Sequence, residues 1–123
     1  MLEAIETILS AIEDVIYIGD FPDNVAKICA LYNTGGRESL KTFQGGSVIR
    51  RPSFQVRIRD TSYASGEARA NAIVDLLNGA TEITGTGYKI LLIELEGDIL
   101  DIGRDTKQRV GFTMNFKYLK QLT

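Results

Sequence analysis

The chain has 123 residues, with 14 Lys or Arg against 16 Asp or Glu, one cysteine and no histidine. This length predicts one domain that can fold without disulfide bonds, and a net charge of −2 gives no overall field toward nucleic acid. The absence of histidine excludes Ser-His-Asp and Cys-His nucleophiles and every histidine-based metal site.

Targeting signals and reactive thiols are not indicated. The longest uncharged apolar stretch, residues 90–93, is far too short to span a bilayer, and residues 1–10 carry acids where a signal peptide needs bases. We therefore expect a soluble, unexported chain. Cys29 lies in an apolar run, which favours a packed thiol over a reactive one.

The first third of the chain predicts a helix followed by a strand. Apolar residues recur at three- and four-residue spacing from Met1 to about Ile18, as in an amphipathic helix. Residues 19–24 (GDFPDN) have a composition typical of a turn. Val25–Tyr32 is β-prone and apolar at both parities, which predicts a strand covered on both faces.

Arg37–Arg51 has no sustained period and contains the pair Gly45-Gly46. We predict either a long loop at a binding surface or a hairpin that extends the sheet.

The residues between Pro52 and Gly79 predict a strand that is followed directly by a helix. Residues 54–58 alternate apolar and polar, as in a strand with one buried face. From Tyr63 the period becomes helical, and Thr61 or Ser62 can cap the first N–H groups. The stripe expected to lie on the sheet consists of Ala64, Ala68, Ala72 and Leu76, with Ile73 and Leu77 beside it.

The last third predicts two strands. Residues 80–87 read as a loop, and Tyr88–Glu96 as a strand with apolar residues at both parities, which predicts cover on both faces. Residues 97–108 read as a polar connection. Arg109–Leu119 then shows the cleanest alternation in the chain.

These elements predict an α+β fold: a four-stranded, mostly antiparallel sheet with two helices packed on it, in the order α-β-(loop or hairpin)-β-α-β-β. Residues 1–123 would form a single domain with a protruding loop or hairpin at about 37–51. If both helices share one face, the other face of the central strands is a bare apolar surface that a partner subunit would cover. The alternative is one helix on each face.

Two motifs are weak candidates for ligand sites. Gly85-Thr86-Gly87 lacks the third glycine of a phosphate loop and precedes a strand. Asp98, Asp101 and Asp105 could gather a hard cation, but the calcium-loop pattern is missing and solvated loop acids are favoured. We therefore expect no metal and no cofactor.

Arginines provide the one concentrated positive patch, which consists of Arg50, Arg51, Arg57 and Arg59. A nucleic-acid reader would place aromatic residues among them, and only Phe54 is near, at the wrong parity. Ion pairing with Asp60, Asp105 or acids of a neighbouring chain is the favoured interpretation.

Several spaced features occur together between about residues 20 and 118. They are Phe21-Pro22-Asp23, the strand end Tyr32–Gly36, the strand and helix from Pro52 to Gly79, Ile102–Asp105, and Arg109 leading into Phe112–Phe116. No single motif is specific, but the combination resembles the minor capsid proteins of tailed bacteriophages and prophages, of the tail terminator type.

The resemblance implies a hexameric ring that caps the tail tube, ends its polymerisation and forms the head–tail joining interface. Its partners would be other copies of itself, the tail tube protein and a head completion or connector protein, with no membrane and with DNA only passing through the lumen. The implied location is the head–tail interface of the virion, after assembly in the host cytoplasm.

Contact residues are also implied by the resemblance. The segment 37–51 would be an arm facing the tube, the lumen or the adjacent subunit. The strand-to-helix junction or the subunit contact would be held by Arg59, Tyr63, Asp105 and Arg109. The implied oligomer or tube contacts are Arg37, Lys41, Arg50, Arg51, Arg57, Arg59, Tyr63, Asp105 and Arg109.

Two rival functions remain from the residues alone. The alternative is a small nucleic-acid-binding module that uses the Arg50/Arg51/Arg57/Arg59 patch, whose affinity would fall steeply with salt. An enzyme built on carboxylates and Lys89 or Lys107 is the weakest hypothesis, because no pair has a spacing that implies a shared pocket.

Overall fold

The computed structural model of the protein describes residues 2–13, 15–41 and 48–122, with the backbone alone for 37–41, 48 and 122. Two helices and eight strands are present in these residues. They are α1 (Glu3–Leu9), β1 (Ile16–Ile18), β2 (Ile28–Asn33), β3 (Arg37–Lys41), β4 (Val48–Arg51), β5 (Ser53–Asp60), α2 (Tyr63–Leu77), β6 (Thr81–Gly85), β7 (Tyr88–Arg104) and β8 (Val110–Leu122).

Strand β8 is the centre of one sheet. Its first part pairs with β5 and its last part with β4 on one side, while β7 follows it on the other side. The sheet then extends through β5 to β2 and β1, through β4 to β3, and through β7 to β6. Every pairing is antiparallel except the parallel pair β1 and β2.

The prediction of a four-stranded α+β sheet is wrong, because the protein is mostly β with eight strands in its described part. The strands that sequence reasoning did not assign are short pieces paired at the outer parts of the sheet. β6 shows the reason. Its alternate positions are only partly buried, so its sequence has no strong strand pattern, and it is a strand because it pairs with β7.

The N-terminal helix is also much shorter than predicted. Helix α1 ends at Leu9, residues 10–12 form a turn, and β1 begins at Ile16. The β-branched residues there complete the edge of the sheet, where Cys29 N–H donates to Val15 O at 3.0 Å. Ile12 and Ile18 remain 41% and 43% exposed, so the predicted stripe is not continuous.

In the segment predicted as a loop or hairpin, β3 and β4 pair antiparallel. Residues 42–47, the middle of that prediction, lie outside the described residues.

A β-bulge explains why β7 is apolar at both parities. Ile90 lies opposite Lys120 and Leu92 opposite Leu119, so one extra residue is inserted between them. Tyr88, Ile90 and Ile93 are all buried in the same core. The prediction that the strand needs cover on both faces is therefore wrong.

The strand also continues past its predicted end. β7 runs to Arg104, so most of the predicted polar connection 97–108 is a long hairpin arm with β8. Register shifts between Glu96 and Leu100 and between Asp101 and Gly103 interrupt its alternation, and this made it look like a loop.

Both helices pack on one face of the sheet, where they share a core with Phe54, Val56, Ile58 and the inward residues of β8. The buried side of α2 is not the predicted alanine stripe; Ala64, Ala68 and Ala72 are exposed. Its buried residues are Gly66, Ala70, Ile73 and Leu77. Gly66 sets the close approach, because a Cβ atom there would lie 2.8 Å from the ring of Phe112.

The second face of the sheet is not the bare apolar surface that was considered. On β5 it carries Gln55, Arg57 and Arg59, and Ile28 and Ala30 of β2 on that face are fully buried. The turn region 20–27 partly covers this face through hydrogen bonds described below. Leu100 and Ile102 are its exposed apolar residues near the hairpin end, 59% and 46% exposed.

Candidate contact site: an arginine cleft on the second sheet face

Two arginines of β5 point away from the helices. Residues at alternating positions of a strand face opposite sides, so Arg57 and Arg59 lie on the face opposite Val56 and Ile58. The ring of Phe21 packs on both, with its centroid 4.7 Å from Cζ of Arg57 and 4.5 Å from Cζ of Arg59. Such cation–π contacts hold the turn at residues 20–27 against the sheet.

Arg59 is the more buried of the two, at 6% exposure. Its guanidinium donates to the backbone oxygens of Pro22 and Val25, while its Nε has no partner among the described residues. Burial lowers the pKa of Arg59, and the positive charge of nearby Arg109 lowers it further.

Arg109 joins the same turn to the β7–β8 hairpin. It is 7% exposed, and its guanidinium lies 2.6 Å from a carboxylate oxygen of Asp23 and 2.7 Å from one of Asp105. Asp105 also accepts backbone N–H groups of Lys107 and Arg109, each at 2.9 Å. These bonds to Arg109, backbone and then side chain, lower the pKa of Asp105.

Asp23 has two cationic partners. Lys107 Nζ lies 2.7 Å from its second oxygen, and this hydrogen bond, followed by that of Arg109, lowers the pKa of Asp23 to about 2. Both aspartates are therefore engaged as carboxylates with cations already present.

Together these groups enclose a cleft of about 330 Å³, which we call the arginine cleft. Its charged lining consists of Asp23, Arg57, Arg59, Arg104, Asp105 and Arg109. Phe21 and Ile102 provide apolar walls, and Ile102 packs close to Gly111, where a Cβ atom would lie 2.8 Å from it.

The charges in the arginine cleft do not balance. Four arginines face two aspartates, and both aspartates bind Arg109. Among the residues that the structure describes, Arg57 makes no hydrogen bond or ion pair, and Arg104 donates only to the backbone oxygen of Gln108, at 2.6 Å. The site can therefore accept a further carboxylate through charge-assisted hydrogen bonds.

The predicted four-arginine patch does not form as one surface. Arg50 lies opposite Lys120 and lines a separate hollow beside it. Arg51 lines another hollow with Glu96 and Lys117. Of these four, only Arg57 and Arg59 share the cleft, because β4 and β5 are separate strands on either side of Pro52 and pair with different parts of β8.

The remaining predicted contact residues are distributed as follows. Tyr63 is 45% exposed at the start of α2, against the Phe112 ring, and the negative charge of Asp101 raises its pKa. The side chains of Arg37 and Lys41 lie outside the described part. Thus Arg57, Arg59, Asp105 and Arg109 come together, and Tyr63 does not join them.

Sequence reasoning missed Asp23 and Arg104 as members of the cleft. The signal for Asp23 was its place in a Phe-Pro-Asp turn, which brings an acid next to a strand that is rich in arginine. Nothing in the local pattern of Arg104 indicated that its strand reaches this far.

The three aspartates considered for a cation do not converge. Asp98 and Asp101 accept backbone N–H groups of their own turns, and Asp105 binds Arg109. In the described residues no group of three His, Cys, Asp or Glu side chains is arranged to hold a metal ion. No described helix has the length and hydrophobicity needed to cross a membrane.

The fold is similar to that of a chain in a solved structure. A solved structure titled "Virion of native gene transfer agent (GTA) particle" contains a chain that is similar with a TM-score of 0.62 and 14% identity, over 98% of this chain and 88% of that chain. No curated protein sequence matches.

The chain belongs to the bacteriophage tail terminator protein family, whose family model matches residues 5–121. The resemblance inferred from the sequence is thereby confirmed. The protein is a structural component of a phage tail, is associated with the virion, and works in contact with other tail or head proteins.

Proposed function

We propose that the protein forms a homo-hexameric ring that caps the tail tube, stops its polymerisation and forms the head–tail joining interface. The observation that carries this proposal is the family match over residues 5–121. Its partners are other copies of itself, the tail tube protein and a head completion or connector protein. It assembles from the host cytoplasm, and DNA meets it only in passing through the lumen.

The two unlike faces of the protomer support a ring. A closed ring needs a heterologous contact, in which one surface meets a different surface on the next copy. One side of this protein is covered by α1 and α2, whereas the opposite side carries the arginine cleft. Such a protomer can repeat around an axis without pairing identical surfaces.

The segment 37–51 is proposed as the arm that contacts the tube, the lumen or the adjacent subunit. Its strand β3 pairs with β4 and ends the strand path on that side, which leaves the other edge of β3 without a partner among the described strands. An edge of this kind can pair with a strand from another chain.

The protein carries no catalytic role in this proposal, because capping a polymer requires only matching of shape and charge. The alternative of a nucleic-acid-binding module depended on one positive patch formed by Arg50, Arg51, Arg57 and Arg59. These four arginines do not share one surface, so that patch does not support it.

The test is a tube-elongation assay. Purified protein is added to growing tail tubes of the same phage, and tube length and end occupancy are followed by electron microscopy. The proposal predicts protein at one end and arrested growth at that end. Tubes that keep growing with bare ends would rule it out.

A further inference from the structure

The arginine cleft lacks an anionic partner that would balance it. Arg57, Arg59 and Arg104 form no ion pair with any described residue, although all three line the cleft. Two carboxylates do not neutralise four guanidinium groups, so the partly enclosed site keeps an excess of positive charge that a carboxylate from outside would balance.

The outer side of α2 offers a carboxylate on the opposite side of the protomer. Glu67 is exposed and has no ion pair among the described residues. Its neighbours Ala64, Ala68 and Asn71 are exposed and small, so another protein surface can approach the helix on this side, and Tyr63, one turn earlier, is 45% exposed beside it.

The two surfaces lie on opposite faces of the same strands. Helix α2 packs through Gly66 on Phe112 of β8, whereas Gly111 and Arg57 line the cleft on the other face. One copy can therefore present Glu67 to a second copy's cleft while its own cleft receives a third copy, which is the heterologous arrangement of a ring.

We propose that Glu67 of one copy inserts its carboxylate into the arginine cleft of the neighbouring copy, where Arg57 binds it beside the exposed Ile102. The inference rests on the proposed ring. It assigns the contact that closes the ring to two named surfaces, and the cleft is complete only when the next copy supplies the acid.

Charge exchange provides the first test. Arg57→Glu and Glu67→Arg should each reduce occupancy of tube ends about tenfold or more, since a close charge pair becomes a like-charge contact. The double variant should recover most of the loss. Asp75→Arg is the matched control: it changes the same charge on the exposed side of α2 but lies eight residues, about 12 Å, further along the helix, and should keep occupancy.

Cysteine cross-linking provides the second test and reports directly whether the two surfaces lie next to each other in the assembled ring. The native Cys29 is buried, and burial raises its pKa to about 12, so it stays unreactive. Chains with both Ala68→Cys and Ile102→Cys, assembled on tail tubes and mildly oxidised, should give a covalent ladder up to the closed ring. A mixture of the two single variants should stop at dimers.

The outcomes separate the inference from the proposed function. Rings on tube ends without a ladder, disulfide-linked dimers from one single variant alone, or cross-links to the tube protein would overturn the inference and leave the ring intact. Melting curves show whether each variant folds. If the wild-type chain leaves tube ends bare, the ring itself is wrong and the inference falls with it.

Discussion

At the scale of single residues, Asp23 connects the turn at residues 20–27 to the β7–β8 hairpin through Lys107 and Arg109. Because these bonds lower its pKa from 3.8 to about 2, the folded state binds the Asp23 proton less readily than the unfolded state does. The stabilisation from this carboxylate is complete above about pH 4 and is lost as the pH falls toward 2.

Asp23→Asn should therefore flatten the loss of stability between pH 4 and pH 2. The measurement is the urea midpoint of unfolding against pH for both proteins. The wild type should lose more stability than the variant over this range, and parallel curves would contradict the role of Asp23.

Gly66 is the residue that sets the distance between α2 and the sheet. Alanine is the better helix former by about 1 kcal/mol, but the added Cβ would lie 2.8 Å from the buried ring of Phe112. We expect Gly66→Ala to lower the free energy of unfolding by about 1 to 2 kcal/mol through overpacking.

A double variant provides the control for Gly66. Shortening Phe112 to Leu in the Gly66→Ala background should cost less than the same change in the wild type, because it relieves the contact. A more stable Gly66→Ala protein would show that the helix can move outward freely.

At the scale of elements, strands with one regular buried face were predictable. Burial follows the sequence alternation over residues 53–58 of β5 and 114–118 of β8, and the register pairs Phe54 with Phe116, whose rings stack with centroids 5.1 Å apart. β7 was not predictable in the same way. A bulge after Ile90 shifts the buried parity, and a period-two pattern cannot distinguish that shift from burial on both faces.

Helix α2 shows a second limit of sequence patterns. Its alanines formed the more regular stripe, but a glycine and Ala70 face the sheet because Phe112 fills the space there. The decisive factor was the size of a side chain on another element.

Arg69, in the middle of α2, joins this helix to β5, to β2 and to the segment after α1. It binds Glu13 after α1, lies 3.1 Å from Asp60 of β5, and donates to the backbone oxygens of Arg59 and Ile28 at 2.9 and 3.2 Å. The Asp60 side chain is fully buried, so removing Arg69 leaves a buried charge without its nearest cation.

Arg69→Met should therefore lower the free energy of unfolding by about 3 to 5 kcal/mol. Lys27→Met is the matched control, because Lys27 lies 3.8 Å from the same carboxylate but is 61% exposed. It should cost less than about 1 kcal/mol. Equal losses in chemical denaturation would show that Arg69 is not the main partner of Asp60.

At the scale of the whole molecule, the family was recognisable from spaced motifs, whereas the arginine cleft was recognisable only in part. Arg57, Arg59, Asp105 and Arg109 were predicted and converge. Their common cleft depends on the turn at residues 20–27 folding over the sheet and on β7 extending to Arg104. Neither feature leaves a periodic signal, because each depends on distant parts of the chain meeting.

The central claim is that identical copies close into one ring at the end of the tail tube. Electron cryo-microscopy of the intact virion at the head–tail junction tests it most directly. We predict a single layer of six copies, with α2 of each copy against the arginine cleft of the next. Density for the chain away from the tube end, or copies in an open stack, would contradict it.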